Sequence, residues 1–416
     1  MLTAADAELA RRETRVTAFG LVLDPAALRD RLAARLPEAP RAVRVDYLRY
    51  KPGTSVLAGL VLDTGAGPVR AYAKAFTPEG APEKLAKHRG LAARAAAGAG
   101  GGDVSADWHS VVDEPAHLVV GTARADRRLP GVGQLAERPG RATGPDASVR
   151  TLRYKPERRW VGVLGHERPA RLLKAHPPAR AAAALAGHRA LAAAGLPVPA
   201  AERVHPQRCR GLLSLAWVHG TALDAAPADE RVLAEVGALL ARVHAVAPAL
   251  AAGREAAPAR PGLDAAAAAV GVLLPGLAAE ARAVARTAAA RLADRPRTVV
   301  HGDFSADQVM VAADGVWLTD LDQVRIDDPL ADLGGYLAAE IADGRVPPGT
   351  DPYDALAPLL AGYRPCGARL DRRALAAHTA AALLRRTAEP FRHRHPDWPV
   401  RAATLLTAAR DLLEQP

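Results

Sequence analysis

Hydrophobic and polar positions follow the same order twice in the first half of the chain. Val45–Pro52 reads VDYLRYKP and Val149–Pro156 reads VRTLRYKP, 104 residues further on. Ala71–Phe76 (AYAKAF) then matches Arg171–His176 (RLLKAH), and Lys87–Ala95 (KHRGLAARA) matches Gly187–Gly195 (GHRALAAAG), both at an offset of 100. The first copy therefore carries four extra residues in its hairpin. Each copy predicts a strand, a turn, two further strands and an amphipathic helix with Leu and Ala at three- and four-residue spacing. A repeat this long is a duplicated subdomain, not a solenoid.

Helical spacing dominates the remainder. Val232, Val236, Leu239, Leu240 and Val243 share one face of a helix. Residues 250–297 read as Ala-rich helix with expected breaks at Pro258, Pro261 and Pro275, and the chain is helical again from Asp351. Ala97–Gly102 reads as a flexible glycine stretch inside the first module, and the Gly- and Pro-rich segment around 131–148 as a linker. The expected organisation is an α+β chain: a repeat module at 1–130, the linker, a β-rich lobe at 149–220 and a helical lobe at 221–416.

One hairpin inside the helical half carries chemistry. Residues 301–333 read HGDFSADQVMVAADGVWLTDLDQVRIDDPLADL. Asp303 stands five residues before the amide Gln308, a DG pair (Asp314, Gly315) predicts a turn, and Asp320 follows a short apolar strand. Transferring a phosphoryl group requires a carboxylate to receive the acceptor's proton and oxygen ligands to hold Mg²⁺ against the phosphates. Isolated Asp residues at turns are common, but three in this order around one hairpin are not expected from turn chemistry alone.

HGD (His301, Gly302, Asp303), LTDLD (Leu318–Asp322) and DDPLADL (Asp327–Leu333) resemble the aminoglycoside phosphotransferase and choline kinase superfamily. The resemblance implies a bilobal protein-kinase-like fold, here preceded by an additional N-lobe-like module. It implies Asp303 as catalytic base, Asp320 with Gln308 as Mg²⁺ ligands, and His301 and Asp332 as supports of the catalytic loop. Gln replaces the family's usual Asn at position 308, which keeps the amide oxygen but moves it about 1.5 Å further from the backbone. Lys74 and Lys174 occupy equivalent third strands, where kinases place the lysine that grips ATP. Only the second copy runs on into GLPVPAAERV and LLSLAWVHGTAL, which resemble the family's hinge region. Lys174 is therefore the expected ATP lysine, and Lys74 belongs to a structural copy.

Two departures accompany the resemblance. No acidic residue lies between Glu167 and Glu202, where the lysine's helix partner is expected, so an acid such as Glu79 or Glu83 would have to be borrowed from the first copy. No GxGxxG covers the phosphates, and Arg158 and Arg159 in KPERRWVG are the expected substitutes.

Composition narrows the partners. The formal charge is +10, but the arginines are dispersed and no zinc-finger spacing or aromatic RNA-binding motif accompanies them, which argues against nucleic acid. No apolar run reaches membrane-spanning length, and the charged N-terminus has no signal-peptide core. Two distant cysteines, Cys209 and Cys366, fit a reducing cytoplasm. The expected acceptor pocket carries Arg385, Arg386 and Arg392, which favours a neutral or anionic hydroxyl compound over a polycation. A small-molecule acceptor with ATP and Mg²⁺ is the leading expectation. A peptide Ser or Thr acceptor and a nucleotide-binding pseudokinase are the alternatives.

Overall fold

The computed structural model describes residues 2–415 except 37, 66, 97–109, 138–148, 166–168, 205–208, 227–228, 252, 293–295 and 364–369. The chain divides into two compact units. The first comprises Met1–Ala182, Glu202–Leu215 and Phe391–Pro396; the second comprises Ala183–Ala201, Ala216–Pro390 and Asp397–Pro416.

Helices α1 (Ala4–Arg12), α2 (Phe19–Leu23) and α3 (Pro25–Ala33) open the chain. Strands β1 (Ala42–Lys51), β2 (Ser55–Thr64) and β3 (Gly67–Phe76) follow, then α4 (Ala81–Ala96), β4 (Ser110–Asp113) and β5 (Leu118–Thr122). Their sheet runs β1-β2-β3-β5-β4. After α5 (Pro130–Glu137) the order recurs as β6 (Val149–Lys155), β7 (Arg159–Leu164), β8 (Arg171–Ala175), α6 (Pro178–Ala193), β9 (Ala201–Arg203) and β10 (Leu212–Ala216). This sheet runs β6-β7-β8-β10-β9, so the sequence repeat is a repeat of topology. The four extra residues lengthen the first copy's hairpin, where β2 and β3 each span 10 residues against 6 in β7 and 5 in β8.

The interior of the first unit draws on both sheets. Leu57, Tyr72 and Val119 share a cluster with Tyr154, Trp160 and Leu173. Trp160 is fully buried, and its indole N–H is satisfied by Thr151 Oγ1 at 3.0 Å. Burying a side chain of that size contributes about 2–3 kcal/mol. Pro130–Glu137, at the edge of the expected linker, is helical, with proline at the first position where its missing N–H costs nothing. The rest of that linker from residue 138, and the glycine stretch at 97–102, lie outside the described residues.

The remaining elements are β11 (Gly220–Ala222), α7 (Glu230–His244), α8 (Ala259–Leu273), α9 (Ala278–Arg291), β12 (Thr298–Val300), β13 (Val309–Ala312), β14 (Gly315–Leu318), β15 (Arg325–Asp327), α10 (Leu330–Ala342), α11 (Pro352–Gly362), α12 (Arg372–Arg386), α13 (Glu389–Arg392) and α14 (Trp398–Glu414). Asp229 caps α7 by accepting the N–H of Val232 at 2.8 Å, and Val236, Leu239, Leu240 and Val243 are buried as their spacing predicts. Gly237 and Gly362 let α7 and α11 touch backbone to backbone: a Cβ at either would lie 1.9 or 1.8 Å from a carbonyl oxygen of the other helix. Pro261, expected to break a helix, sits in the first turn of α8, where its N–H would have no helical partner. Two short sheets, β11-β13-β14 and β12-β15, interrupt the helices of this unit.

Candidate active site

The antiparallel pair β13 and β14 runs from Val309 opposite Leu318 to Ala312 opposite Gly315. Ala313 and Asp314 form the turn, Asp314 is fixed by Trp317 Nε1 at 3.0 Å, and Gly315 opens β14 with φ of 118°. At the open end the N–H of Thr319 donates to the carbonyl of Gln308 at 2.8 Å. Gln308 and Asp320 are therefore brought close in the chain's hairpin geometry. The Gln308 Nε2 donates to Asp307 Oδ2 at 2.7 Å, which leaves its amide oxygen for another partner. Asp320 adopts a left-handed backbone, φ 56° and ψ 46°, a conformation that Asp tolerates better than most L residues.

Asp303 is exposed, on a loop held from beneath. Its N–H points to Nδ1 of the fully buried His301 at 3.4 Å, while Nε2 of the same ring lies 2.8 Å from the carbonyl of Thr319. The tautomer with hydrogen on Nε2 satisfies both contacts. His301 thus ties the Asp303 turn to the residue before Asp320. Asp332, in the first turn of α10, accepts the N–H of His301 at 2.7 Å and that of Gly302 at 2.8 Å.

A third donor reaches Asp332: His244 Nε2 at 3.2 Å, the imidazole being held on its other side by the Tyr363 hydroxyl at 2.7 Å. Burial alone would raise the Asp332 pKa, but the His244 hydrogen bond and charge, the nearby His301 and the Gly302 N–H together lower it below the usual carboxylate value. Gly302 has φ of 84°, and a Cβ there would lie 2.3 Å from both the Gln323 carbonyl and the Arg325 guanidinium. Arg325 Nη1 donates to the Gly302 carbonyl at 2.8 Å while its Nε is held by Asp327 at 3.0 Å. His244, Tyr363 and Arg325 are neighbours of the Asp303 loop that the sequence does not reveal. His244 stands 88 residues from Asp332, with no motif joining them.

The expected site residues divide between the units. Asp303, Gln308, Asp320, His301, Asp332, Arg385 and Arg386 belong to the second; Lys174, Arg158, Arg159 and Arg392 belong to the first. Surrounding protein atoms, then the charge of Arg325, lower the Arg385 guanidinium below its ordinary value, with Asp327 opposing. Arg386 pairs with Glu389 at 3.2 Å. Lys174 is buried on β8, opposite Val161. Arg159 opens β7, and Arg158 Nη1 lies 3.4 Å from the Tyr47 hydroxyl. Glu83 pairs with Lys87 on its own helix. Glu157 of the second module binds both Lys74 and Arg49 of the first, and Asp126 of the first accepts from the Tyr154 hydroxyl and the Glu157 N–H of the second. Among the described residues no group of three or more His, Cys, Asp or Glu could hold a metal, and no helix is long and apolar enough to cross a membrane.

The sequence model of the phosphotransferase enzyme family matches residues 157–378, more than half of the chain. The chain belongs to that family. Its fold is protein-kinase-like, a β-rich lobe followed by a mainly helical one, with a further N-lobe-like module in front. Several solved structures are similar. A choline/ethanolamine kinase family protein from Mesorhizobium loti is 18% identical, with TM-score 0.47, over 66% of this chain and 90% of its own. Choline kinase LicA from Streptococcus pneumoniae is 12% identical, with TM-score 0.49, over 67% of this chain and 98% of its own. Aminoglycoside phosphotransferase APH(3'')-Id from Streptomyces rimosus is 21% identical, with TM-score 0.45, over 59% and 95%. A comparison with curated proteins finds no match.

Proposed function

We propose that this protein transfers the γ-phosphoryl group of ATP to a hydroxyl of a neutral or anionic small molecule in the cytoplasm. The observation that carries this reading is the support of the Asp303 loop: Asp332 accepts two consecutive N–H groups, and His301 links the loop to Thr319 beside Asp320. An exposed carboxylate on a backbone fixed by buried hydrogen bonds is what a general base requires, because proton transfer depends on held geometry. Asp303 takes the proton of the acceptor hydroxyl. Asp320 and the Gln308 amide oxygen are the Mg²⁺ ligands, and their chemistry fits a hard cation that prefers oxygen. Bound Mg²⁺–ATP supplies the phosphoryl group and neutralises part of its charge.

Lys174 is the ATP lysine in this reading, and Arg158 and Arg159 bind phosphate oxygens by charge-assisted hydrogen bonds. Residues 149–220 form the nucleotide lobe, 221–416 the catalytic lobe, and 1–130 a supporting module joined by 131–148. Arg385, Arg386 and Arg392 bias the acceptor site against polycations. The test is turnover of ATP with panels of sugars, amino alcohols, nucleosides and peptides, followed by mass spectrometry for one added phosphoryl group. Phosphorylation of an acceptor by the intact protein, lost in Asp303→Ala, is the expected result. Unchanged turnover in that variant, or transfer only to peptides, would overturn the reading.

A further inference from the structure

The first unit holds a cavity of about 300 Å³, and its walls come from both modules. Asp46 and Tyr47 of β1 and Arg70 of β3 form one side; Arg153 and Lys155 of β6 and His393 form the other. None of these residues is assigned to phosphoryl transfer above. Three of the lining side chains are permanent cations, and Asp46 is the one carboxylate among them. That carboxylate is already engaged by Arg70 at 2.7 Å. The walls therefore keep a positive excess.

The histidine reports the same field. His393 stays partly open to solvent, yet its pKa falls to about 4, through burial first and then the charges of Lys155, Arg153, His395 and Arg392. Burial raises the pKa of Asp46, opposed by Arg70 and Arg44. Tyr47 packs beside both side chains: Lys155 Nζ is 5.7 Å from its ring centroid and the His393 ring centroid 6.3 Å away. A cavity at the lower end of small-molecule sites, with room for roughly ten water volumes, suits a compact ligand.

We propose that this cavity binds the phosphate monoester of a small polyol or sugar. Arg153 and Lys155 meet the phosphate, since guanidinium and ammonium groups make short charge-assisted bonds to such oxygens. Asp46, held by Arg70, accepts hydroxyl protons, and the Tyr47 ring covers the apolar face of the carbon skeleton. Walls of this charge favour the phosphate ester over the free polyol and repel a polycation.

The experiment titrates the full chain with inorganic phosphate, glycerol, glycerol 3-phosphate and glucose 6-phosphate, without nucleotide. It follows heat and the ring resonances of His393. The phosphate esters bind saturably, more tightly than inorganic phosphate, and raise the His393 pKa because the bound anion offsets its cationic neighbours. Arg153→Glu weakens them about tenfold or more, the loss of one charged hydrogen bond. Arg29→Glu, an equal charge change on an exposed helix of the same unit, leaves affinity unchanged. Equal weakening by both reversals would mean diffuse attraction and overturn the site. Equal affinity for inorganic phosphate and its esters, or no movement of His393, would overturn it as well.

Discussion

The ammonium of Lys74 lies 2.5 Å from the carboxylate of Glu157, so the first module's counterpart of Lys174 is joined to the second module's β6–β7 turn. Arg49 holds the same carboxylate, and Glu157 takes a left-handed backbone with φ of 58° whose N–H donates to the buried Asp126 at 2.6 Å. The pair therefore joins the two modules of the first unit.

Removing Glu157 leaves two cations facing each other. Losing one partner of a fully buried pair costs about 3–5 kcal/mol. The side chains of Lys74 and Glu157 are 19% and 21% exposed, and solvent screening reduces the cost to roughly 1–3 kcal/mol. Glu157→Ala should lower the urea midpoint accordingly, and Lys74→Met added to it should recover part of the loss. A midpoint that does not move would show the pair to be neutral for stability.

Asp332 gives the loop an acid limit. Its pKa is lowered in the folded chain, so its stabilisation is fully present above the unfolded value of about 3.9 and disappears as pH falls through the lower folded value. Asp332→Ala should cost about 2–5 kcal/mol at neutral pH, because the N–H groups of His301 and Gly302 lose their acceptor. It should also flatten stability against pH below about 4. Denaturation at several pH values reads both effects.

General-base catalysis contributes about 10²–10⁴ in rate. Asp303→Asn should lower turnover by that order with nucleotide affinity nearly unchanged, since Asp303 is exposed and its loop is held by other groups. Pre-steady-state turnover and nucleotide titration separate the two quantities.

Mg²⁺ sheds its water reluctantly and is seldom held by protein alone. Calorimetry should therefore detect weak Mg²⁺ binding to the free chain and strong binding with ATP. Asp320→Ala should remove the second without unfolding the hairpin, whose closing bond is made by Thr319 and Gln308 backbone atoms. Tight Mg²⁺ binding without nucleotide would count against this ligand pair.

Acceptor charge is open to direct competition. In the proposed acceptor site Arg385 adds its charge to that of Arg325, which Asp327 offsets in part, so a polycation is disfavoured there. Kanamycin should be phosphorylated far more slowly than neutral or anionic polyols. Comparable kcat/KM values for kanamycin would refute this.

The local parts of the fold were legible in the sequence. Alternation and a doubled strand-helix order marked the first three strands of each sheet and the helix after them, because side chains on a strand must face one core or the other. Apolar spacing gave the buried face of α7, and the HGD and DDP motifs marked the Asp303 and Asp332 segments, because capping, turns and periodicity act over a few residues. The Pro261 break was misread from that same local view, since a proline's effect depends on whether it falls in the first turn. Contacts between distant segments were decided only in three dimensions. His244 reaches Asp332 across 88 residues, and Glu157 reaches Lys74 across 83, through side chains that no short-range pattern requires. The sequence alone determined the repeated strand-helix order and the catalytic-loop hairpin, but not the helix at Pro130–Glu137. The tertiary structure decided which charges meet, because burial makes an unpaired polar group costly and only the packed chain determines which groups are buried together.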